Sequence, residues 1–408
     1  MKNIFTLCLF TLAGLTLVAQ CDDRYTTALF TDFEVIEDVA YGSSIELDGD
    51  VKDLVFDFYA PANDELEERP LIIWAHGGTF ISGDEDDLRF LGEHFAALGY
   101  ANASINYRLA EVVFENLQIF DNNITELMAD ELIKATQDMR AAIRFFRRDA
   151  AENGNQYGID VDQIYVGGVS AGAITAVHVA YMDDLEGAES IAVDLPTLIE
   201  ANGGLEGDSG NPGFSSEVSG VINFSGALAS VDLIQADEVP LVSVHDTEDG
   251  VVPFAIDTVV VFSLPVIEME GSQVMHERAD ELGVTNDLLS FDQALHVGYF
   301  GTDLDESLDH VVDFMADLVT CPTQETTGIE EIPYDISVFP TVVEDFVNVR
   351  LDSNEEVAIR IFDINGKEVL TRTAVANAQI NVGELVNGFY FLTVQDGEFQ
   401  STEKFIVK

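Results

Sequence analysis

The feature that most constrains the fold is a pentapeptide, Gly168-Val169-Ser170-Ala171-Gly172, set between two contrasting segments. Before it, Ile164-Tyr165-Val166 reads as a short strand; after it, Ala171 to Met182 reads as a helix. Glycines two before and two after the serine permit a sharp strand-to-helix turn, because no side chain blocks the close approach of the two backbones. Such a turn lifts the hydroxyl above the sheet edge and sets a helix N-terminus beneath it. The backbone N–H after the serine then faces any oxyanion formed there. An ordinary glycine-rich turn is the alternative, and the flanking strand and helix favour the nucleophile. The loop is not a dinucleotide fingerprint, since Val169 and Ser170 stand where G-x-G-x-x-G needs glycine.

The surroundings extend the same pattern. Leu71-Ile72-Ile73-Trp74-Ala75 is a continuous apolar run between Pro70 and His76-Gly77-Gly78, as expected of a strand buried on both faces. Ala101 to Tyr107, Val221 to Phe224 and Leu241 to Val244 read as further strands. Met128 to Glu152 has helical periodicity, with Leu132, Met139, Ala142, Ile143 and Phe146 on one face and Arg144, Arg147 and Arg148 largely outside. Strands alternating with helices predict an α/β domain with a mostly parallel central sheet and helices on both faces. Asp183 to Glu217 reads either as a cover over the site or as an ordinary loop.

After Cys321 the composition changes. Pro322-Thr323-Gln324-Glu325-Thr326-Thr327-Gly328 is polar and reads as a linker. Beyond it come short strands: Ile336 to Phe339, Phe346 to Leu351, Val357 to Phe362, Phe389 to Val394 and Lys404 to Val407. Asn365-Gly366 is a hairpin-turn dipeptide. A small all-β, Ig-like sandwich of about seven strands follows from this spacing. The expected division is a leader at residues 1–20, an α/β domain at 21–321, a linker at 322–332 and the sandwich at 333–408.

Charge limits the partners. The 408 residues hold 18 Lys and Arg against 75 Asp and Glu, a net charge of −57. Nucleic acid and anionic membrane surfaces are excluded by repulsion. Residues 21–331 hold 11 basic and 63 acidic residues, so the larger domain carries the excess. Self-repulsion on this scale weakens as salt screens it, which suits a salty habitat. Asp84-Glu85-Asp86-Asp87 reads as a solvated face, with a cation site as the alternative.

Lys2 followed by the apolar run Ile4 to Ala19 fits a secretory signal peptide cut near Val18-Ala19-Gln20. No other stretch is long and apolar enough to predict a membrane span; the longest, Val251 to Ile267, contains Asp257 and two prolines. Export leaves Cys21 and Cys321, a disulfide candidate joining the ends of the larger domain. The alternatives are free thiols or acylation of Cys21. Two cysteines alone cannot make a structural zinc site.

The strand at Trp74 is followed by His76-Gly77-Gly78-Thr79-Phe80, where glycines let backbone N–H groups approach a substrate oxygen. Together with Asn106-Tyr107-Arg108-Leu109-Ala110 and Tyr157-Gly158-Ile159-Asp160 ahead of the pentapeptide, residues 51–319 resemble an α/β-hydrolase of the carboxylesterase and hormone-sensitive-lipase-like group. The resemblance implies Ser170 as nucleophile and the backbone N–H groups of Gly78, Thr79 and Ala171 as oxyanion donors. Thr79 stands where that group often has a third glycine.

In this fold the acid follows the serine and the histidine follows the acid. His245-Asp246-Thr247-Glu248-Asp249-Gly250-Val251-Val252-Pro253 is similar to the group's G-T-x-D-x-x-V-P segment. That register puts Asp249 on the acid and Asp246 where glycine is usual, with Asp246 and Glu248 as the alternatives. Of the seven histidines, chain order leaves 276, 296 and 310. His276 and His310 fall in helical runs, whereas His296 lies in a loop after the strand-like Leu288 to Phe291. His296 is therefore the expected general base.

The implied activity is an exported serine carboxylesterase acting on a small-molecule ester through an acyl-enzyme, with no cofactor or metal. A serine peptidase of the same fold and a non-catalytic surface protein are the alternatives. Val338-Phe339-Pro340, the segment 361–369, the segment 385–391 and the terminal Lys404 to Lys408 are similar to the type IX secretion C-terminal sorting domain. That likeness implies type IX machinery as a partner, passage through periplasm and outer membrane, and a secreted or cell-surface destination.

Overall fold

The computed structural model describes residues 23–45, 51–110, 124–184, 187, 191, 193–321, 336–351, 356–364, 366–375, 378–396 and 399–408. The leader at 1–20, Cys21 and the linker at 322–332 lie outside these residues. The described chain falls into two compact units, one up to Thr320 and one from Cys321 onward.

In the first unit the elements run β1 (Phe33–Ile45), β2 (Val51–Pro61), β3 (Arg69–Ala75), α1 (Arg89–Leu98), β4 (Ala101–Ile105), α2 (Ile124–Arg148), β5 (Ile159–Val169), α3 (Ala171–Tyr181), α4 (Leu195–Ala201), β6 (Val221–Phe224), β7 (Ala227–Leu228), β8 (Leu241–Asp246), β9 (Ile256–Val261), β10 (Leu264–Gly271), α5 (Ser272–Leu282), β11 (Asn286–Phe291), α6 (Tyr299–Thr302) and α7 (Leu304–Leu318). An eight-stranded sheet has the order β1-β2-β4-β3-β5-β6-β8-β11. The pairs β1/β2 and β2/β4 are antiparallel, and every pair from β4 to β11 is parallel.

The apolar run at residues 71–75 explains the layering. Leu71, Ile73 and Ala75 pack into one core with residues of α2 and α3. Ile72 and Trp74 point the other way, into a core shared with α1 and α7. Period-2 alternation under helices on both faces demands apolar residues at every position. This is the α/β-hydrolase architecture expected above.

One detail of α2 differs from the sequence reading. Arg144 is buried, not outside. Its Nη2 donates to Gly210 O at 2.9 Å and its Nη1 to Glu206 O at 3.0 Å. Arg140, one turn earlier, is also buried and donates to Leu205 O at 2.8 Å. Carbonyls of residues 205, 206 and 210 lie over this face of the helix and accept from the two guanidinium groups, and Arg144 also pairs with the Glu206 carboxylate, so charge did not report exposure.

The run Val251 to Ile267 forms most of a hairpin. Strands β9 and β10 pair antiparallel and join β7 in a separate three-stranded sheet. Val259, Val261, Val266 and Met269 turn inward while Ile256, Phe262 and Leu264 face solvent.

The second unit holds β12 (Ile336–Phe339), β13 (Val342–Val343), β14 (Phe346–Leu351), β15 (Glu356–Asp363), β16 (Glu368–Val375), β17 (Ala378–Asn381), β18 (Gly388–Asp396) and β19 (Phe399–Val407). They form sheets ordered β12-β14-β17 and β13-β19-β18-β15-β16 around a core that includes Val347, Val349, Ile359, Ile361, Leu392 and Phe405. The described residues of this unit hold eight strands, against about seven expected. Three of them lie beyond the five segments named from the sequence: the two-residue β13 and the polar-rich β16 and β17, whose apolar alternation is weak. Among the described residues no helix is long and apolar enough to cross a membrane.

Candidate active site

Ser170 sits on the turn between β5 and α3 with φ 56° and ψ −117°, a conformation ordinary residues avoid. The flanking glycines permit it by close approach. A Cβ on Gly172 would lie 1.9 Å from Ala75 O, and one on Gly168 would lie 2.3 Å from Gly172 C. Both contacts are impossible for a real side chain, so the elbow closes against the end of β3 only with glycine at each position.

The loop after β3 returns alongside. Gly78, Thr79 and Phe80 have φ of 113°, 63° and 57°. A β-branched residue at positive φ is strained, which explains why glycine suits the Thr79 position better. The segment 106–110 braces this loop. Tyr107 donates its hydroxyl to His76 O at 2.7 Å, and Ala110 N donates to Phe80 O at 2.6 Å. Arg108 is anchored in turn by the buried Asp138, with Nη2 2.8 Å from Oδ1.

Three side chains from separate loops converge. Ser170 Oγ lies 2.7 Å from His296 Nε2, and His296 Nδ1 lies 2.7 Å from Asp249 Oδ2. Facing a carboxylate, Nδ1 carries the proton, and Nε2 is left to accept from the serine. Asp249 Oδ1 accepts from Val251 N at 2.8 Å and Val252 N at 3.1 Å. Burial pushes the Asp249 pKa up, but the hydrogen bonds of His245 and His296 and the backbone donor prevail and hold it at about 2. Glu248 is exposed. Asp246 is buried and accepts from Gly298 N at 2.6 Å.

His276 and His310 lie elsewhere. His276 binds Ser243 Oγ and Asn286 Oδ1, and burial lowers its pKa to about 4. His310 Nδ1 is 3.9 Å from Asp287. Asp84 and Asp87 form a capping box on a short 3-10 turn, while Glu85 points inward near Asp38 and Asp57. Cys321 lies at the start of the second unit, and Cys21, its expected disulfide partner, lies outside the described residues.

Two features had escaped the sequence reading. His245 is fully buried behind the acid, with Nε2 3.2 Å from Val252 O and 3.5 Å from Asp249 Oδ2. Its Nδ1 meets Ser272 Oγ at 2.8 Å, and a buried chain continues through Asn223 and Ser243 to His276. The only hint was its place immediately before the acidic loop, four residues ahead of Asp249. The second feature is an apolar cavity beside Ser170. Thr79 and Ala171 line it, together with Met128, Leu132 and Ile174 from the helices and Val259, Val261, Val266 and Met269 from the hairpin. Among the described residues of 183–217, none lines this cavity.

Comparison with known proteins agrees with this architecture. Residues 56–228 match the BD-FAE family model, and residues 337–408 match the secretion system C-terminal sorting domain. The chain thus joins an esterase- and lipase-like α/β-hydrolase domain to a C-terminal secretion sorting domain. Over 168 residues it is 27% identical to a para-nitrobenzyl esterase of Bacillus subtilis (strain 168), covering 38% of this chain and 32% of that one, so it spans about a third of the relative's length. The butyrate-bound Est2 esterase of the Planctomycetes species Thermogutta terrifontis superposes with a TM-score of 0.50 at 20% identity, covering 71% of this chain and 96% of that one. Its paraoxon-phosphorylated form gives 0.50 at 21% identity, covering 72% and 96%.

Proposed function

We propose that the chain is an exported serine carboxylesterase, with Ser170 as nucleophile, His296 as general base and acid, and Asp249 as the residue that orients the imidazole. The observation that carries this reading is the unbroken Ser170–His296–Asp249 chain of two 2.7 Å bonds beside an apolar cavity. Ser170 Oγ attacks the ester carbonyl as its proton passes to His296 Nε2. Backbone N–H groups of Gly78, Thr79 and Ala171 hold the oxyanion. The imidazolium, steadied by Asp249, returns the proton to the leaving alcohol, and water repeats the cycle on the acyl-enzyme.

The leaving alcohol must depart on the side of His296, which protonates it. His296 is not among the cavity-lining residues, whereas the assigned oxyanion donors Thr79 and Ala171 are. The cavity therefore takes the acyl group, and its apolar walls suit an aliphatic or aromatic acid over a charged one. The sorting domain supports export by the type IX route to the cell surface or medium, with the tail as the part the secretion machinery reads.

The test is hydrolysis of p-nitrophenyl butyrate beside a peptide p-nitroanilide, followed by reaction with paraoxon. The proposal expects ester turnover well above peptide turnover and one phosphoryl adduct, located on Ser170. Peptide turnover in excess would make the protein a peptidase; no turnover and no adduct would make it a non-catalytic surface protein.

A further inference from the structure

Asp246 stands three residues before the proposed acid, where the G-T-x-D-x-x-V-P pattern has glycine. It is the last residue of β8 and is fully buried. Its Oδ2 accepts from Gly298 N at 2.6 Å. Gly298 lies two residues beyond His296, and the intervening Val297 has φ 52°. A β-branched residue does not hold that conformation by preference, so something outside the loop must fix it. At the other end of the loop, Thr247 N donates to Phe291 O at 2.8 Å and Glu248 N to Gln293 O at 3.0 Å. The acid loop thus straps the histidine loop at both ends, and Asp246 makes the strap nearer His296.

We propose that Asp246 is a positioning residue, whose carboxylate holds the His296 loop so that the imidazole meets Ser170 and Asp249 together. The inference rests on the esterase reading above. Asp246 Oδ1 is buried with no hydrogen-bond partner, an arrangement that costs stability and that packing alone does not demand. Burial first, and then the neighbouring Asp249, push the Asp246 pKa up. The side chain nevertheless keeps one short bond, and that bond goes to the loop bearing the base.

The experiment compares Asp246→Asn, Asp246→Leu and Asp246→Gly in the full chain, with kcat and KM on p-nitrophenyl butyrate, the rate of Ser170 phosphorylation by paraoxon, and thermal melting. Asn keeps an oxygen for the Gly298 N–H and should hold kcat within about fivefold of the parent. Leu and Gly remove the acceptor and should each lower kcat about 10- to 100-fold, the worth of a hydrogen bond to a charged group. KM should stay unchanged, and the paraoxon rate should fall by the same factor as kcat. If Leu does not fold, Gly alone decides, since it adds no bulk. Parent-like kcat in folded Gly or Leu, a loss confined to KM, or Asn as damaging as Leu would each overturn the proposal. A loss of ~10³ or more in Asn alone would make Asp246 the acid and overturn it too. Failure of the esterase reading shows separately, as a parent protein that neither turns over the ester nor reacts with paraoxon.

Discussion

Replacing Asp249 with Asn tests the proposed acid by geometry rather than by bulk. Oδ1 of Asp249 accepts from two backbone donors, Val251 N and Val252 N. An asparagine must keep its oxygen there, because turning the amide would set its NH2 against those N–H groups. The NH2 then faces His296 Nδ1, which becomes an acceptor, and the imidazole proton moves to Nε2. That nitrogen points at Ser170 Oγ from 2.7 Å and can no longer take its proton. The expected loss in kcat is about 10⁴-fold, roughly 5 kcal/mol of transition-state stabilisation, with KM little changed. Stopped ester assays on a variant with parent-like circular dichroism measure it. A folded Asp249→Asn protein with kcat within tenfold of the parent would refute the assignment, as would a larger loss from Glu248→Gln.

Ser170→Ala and His296→Ala should each lower kcat by at least ~10³ without changing the melting temperature much. The Asp249 pKa of about 2 lies below its unfolded value near 3.8, so this group's contribution is present above about pH 4 and lost as pH falls through about 2. Denaturant midpoints should show the stability gap between the parent and Asp249→Asn closing by on the order of 2 kcal/mol between pH 5 and pH 2. A gap independent of pH would contradict the depressed pKa. Gly172→Ala drives a Cβ to within 1.9 Å of Ala75 O and should cost over ~3 kcal/mol or prevent folding, while Gly250→Ala meets nothing within 4 Å and should stay within ~0.5 kcal/mol of the parent. A chain ending after Thr327 should retain ester hydrolysis, since every residue assigned to catalysis precedes it; a soluble but inactive product counts against that. Intact mass with and without alkylation should show one disulfide joining Cys21 and Cys321, worth at most about 5 kcal/mol by loop closure; two free thiols or an acyl group on Cys21 would exclude it.

Local order was legible in the residues themselves. The run Leu71 to Ala75 announces a strand buried on both faces, and it supplies side chains to both cores. The glycine spacing around Ser170 announces the elbow, because only glycine survives approaches of 1.9 and 2.3 Å. Periodicity and turn chemistry report what each segment does with its own backbone and with water. They do not report which loops meet. Asp246, Glu248 and Asp249 are three acids within four residues, and only the fold buries two of them, aims one at His296 and turns the other to Gly298. Arg144 looked like a surface charge until the carbonyls of residues 206 and 210 were laid over it. The apolar stretch at 251–267 is long enough to be noticed, but its hairpin, and its place as a wall beside Ser170, depend on pairing with β7 and packing against α2. Ser170 and His296 are 126 residues apart, and their 2.7 Å contact is decided by how two loop ends pack at the edge of a shared sheet, which no local pattern encodes.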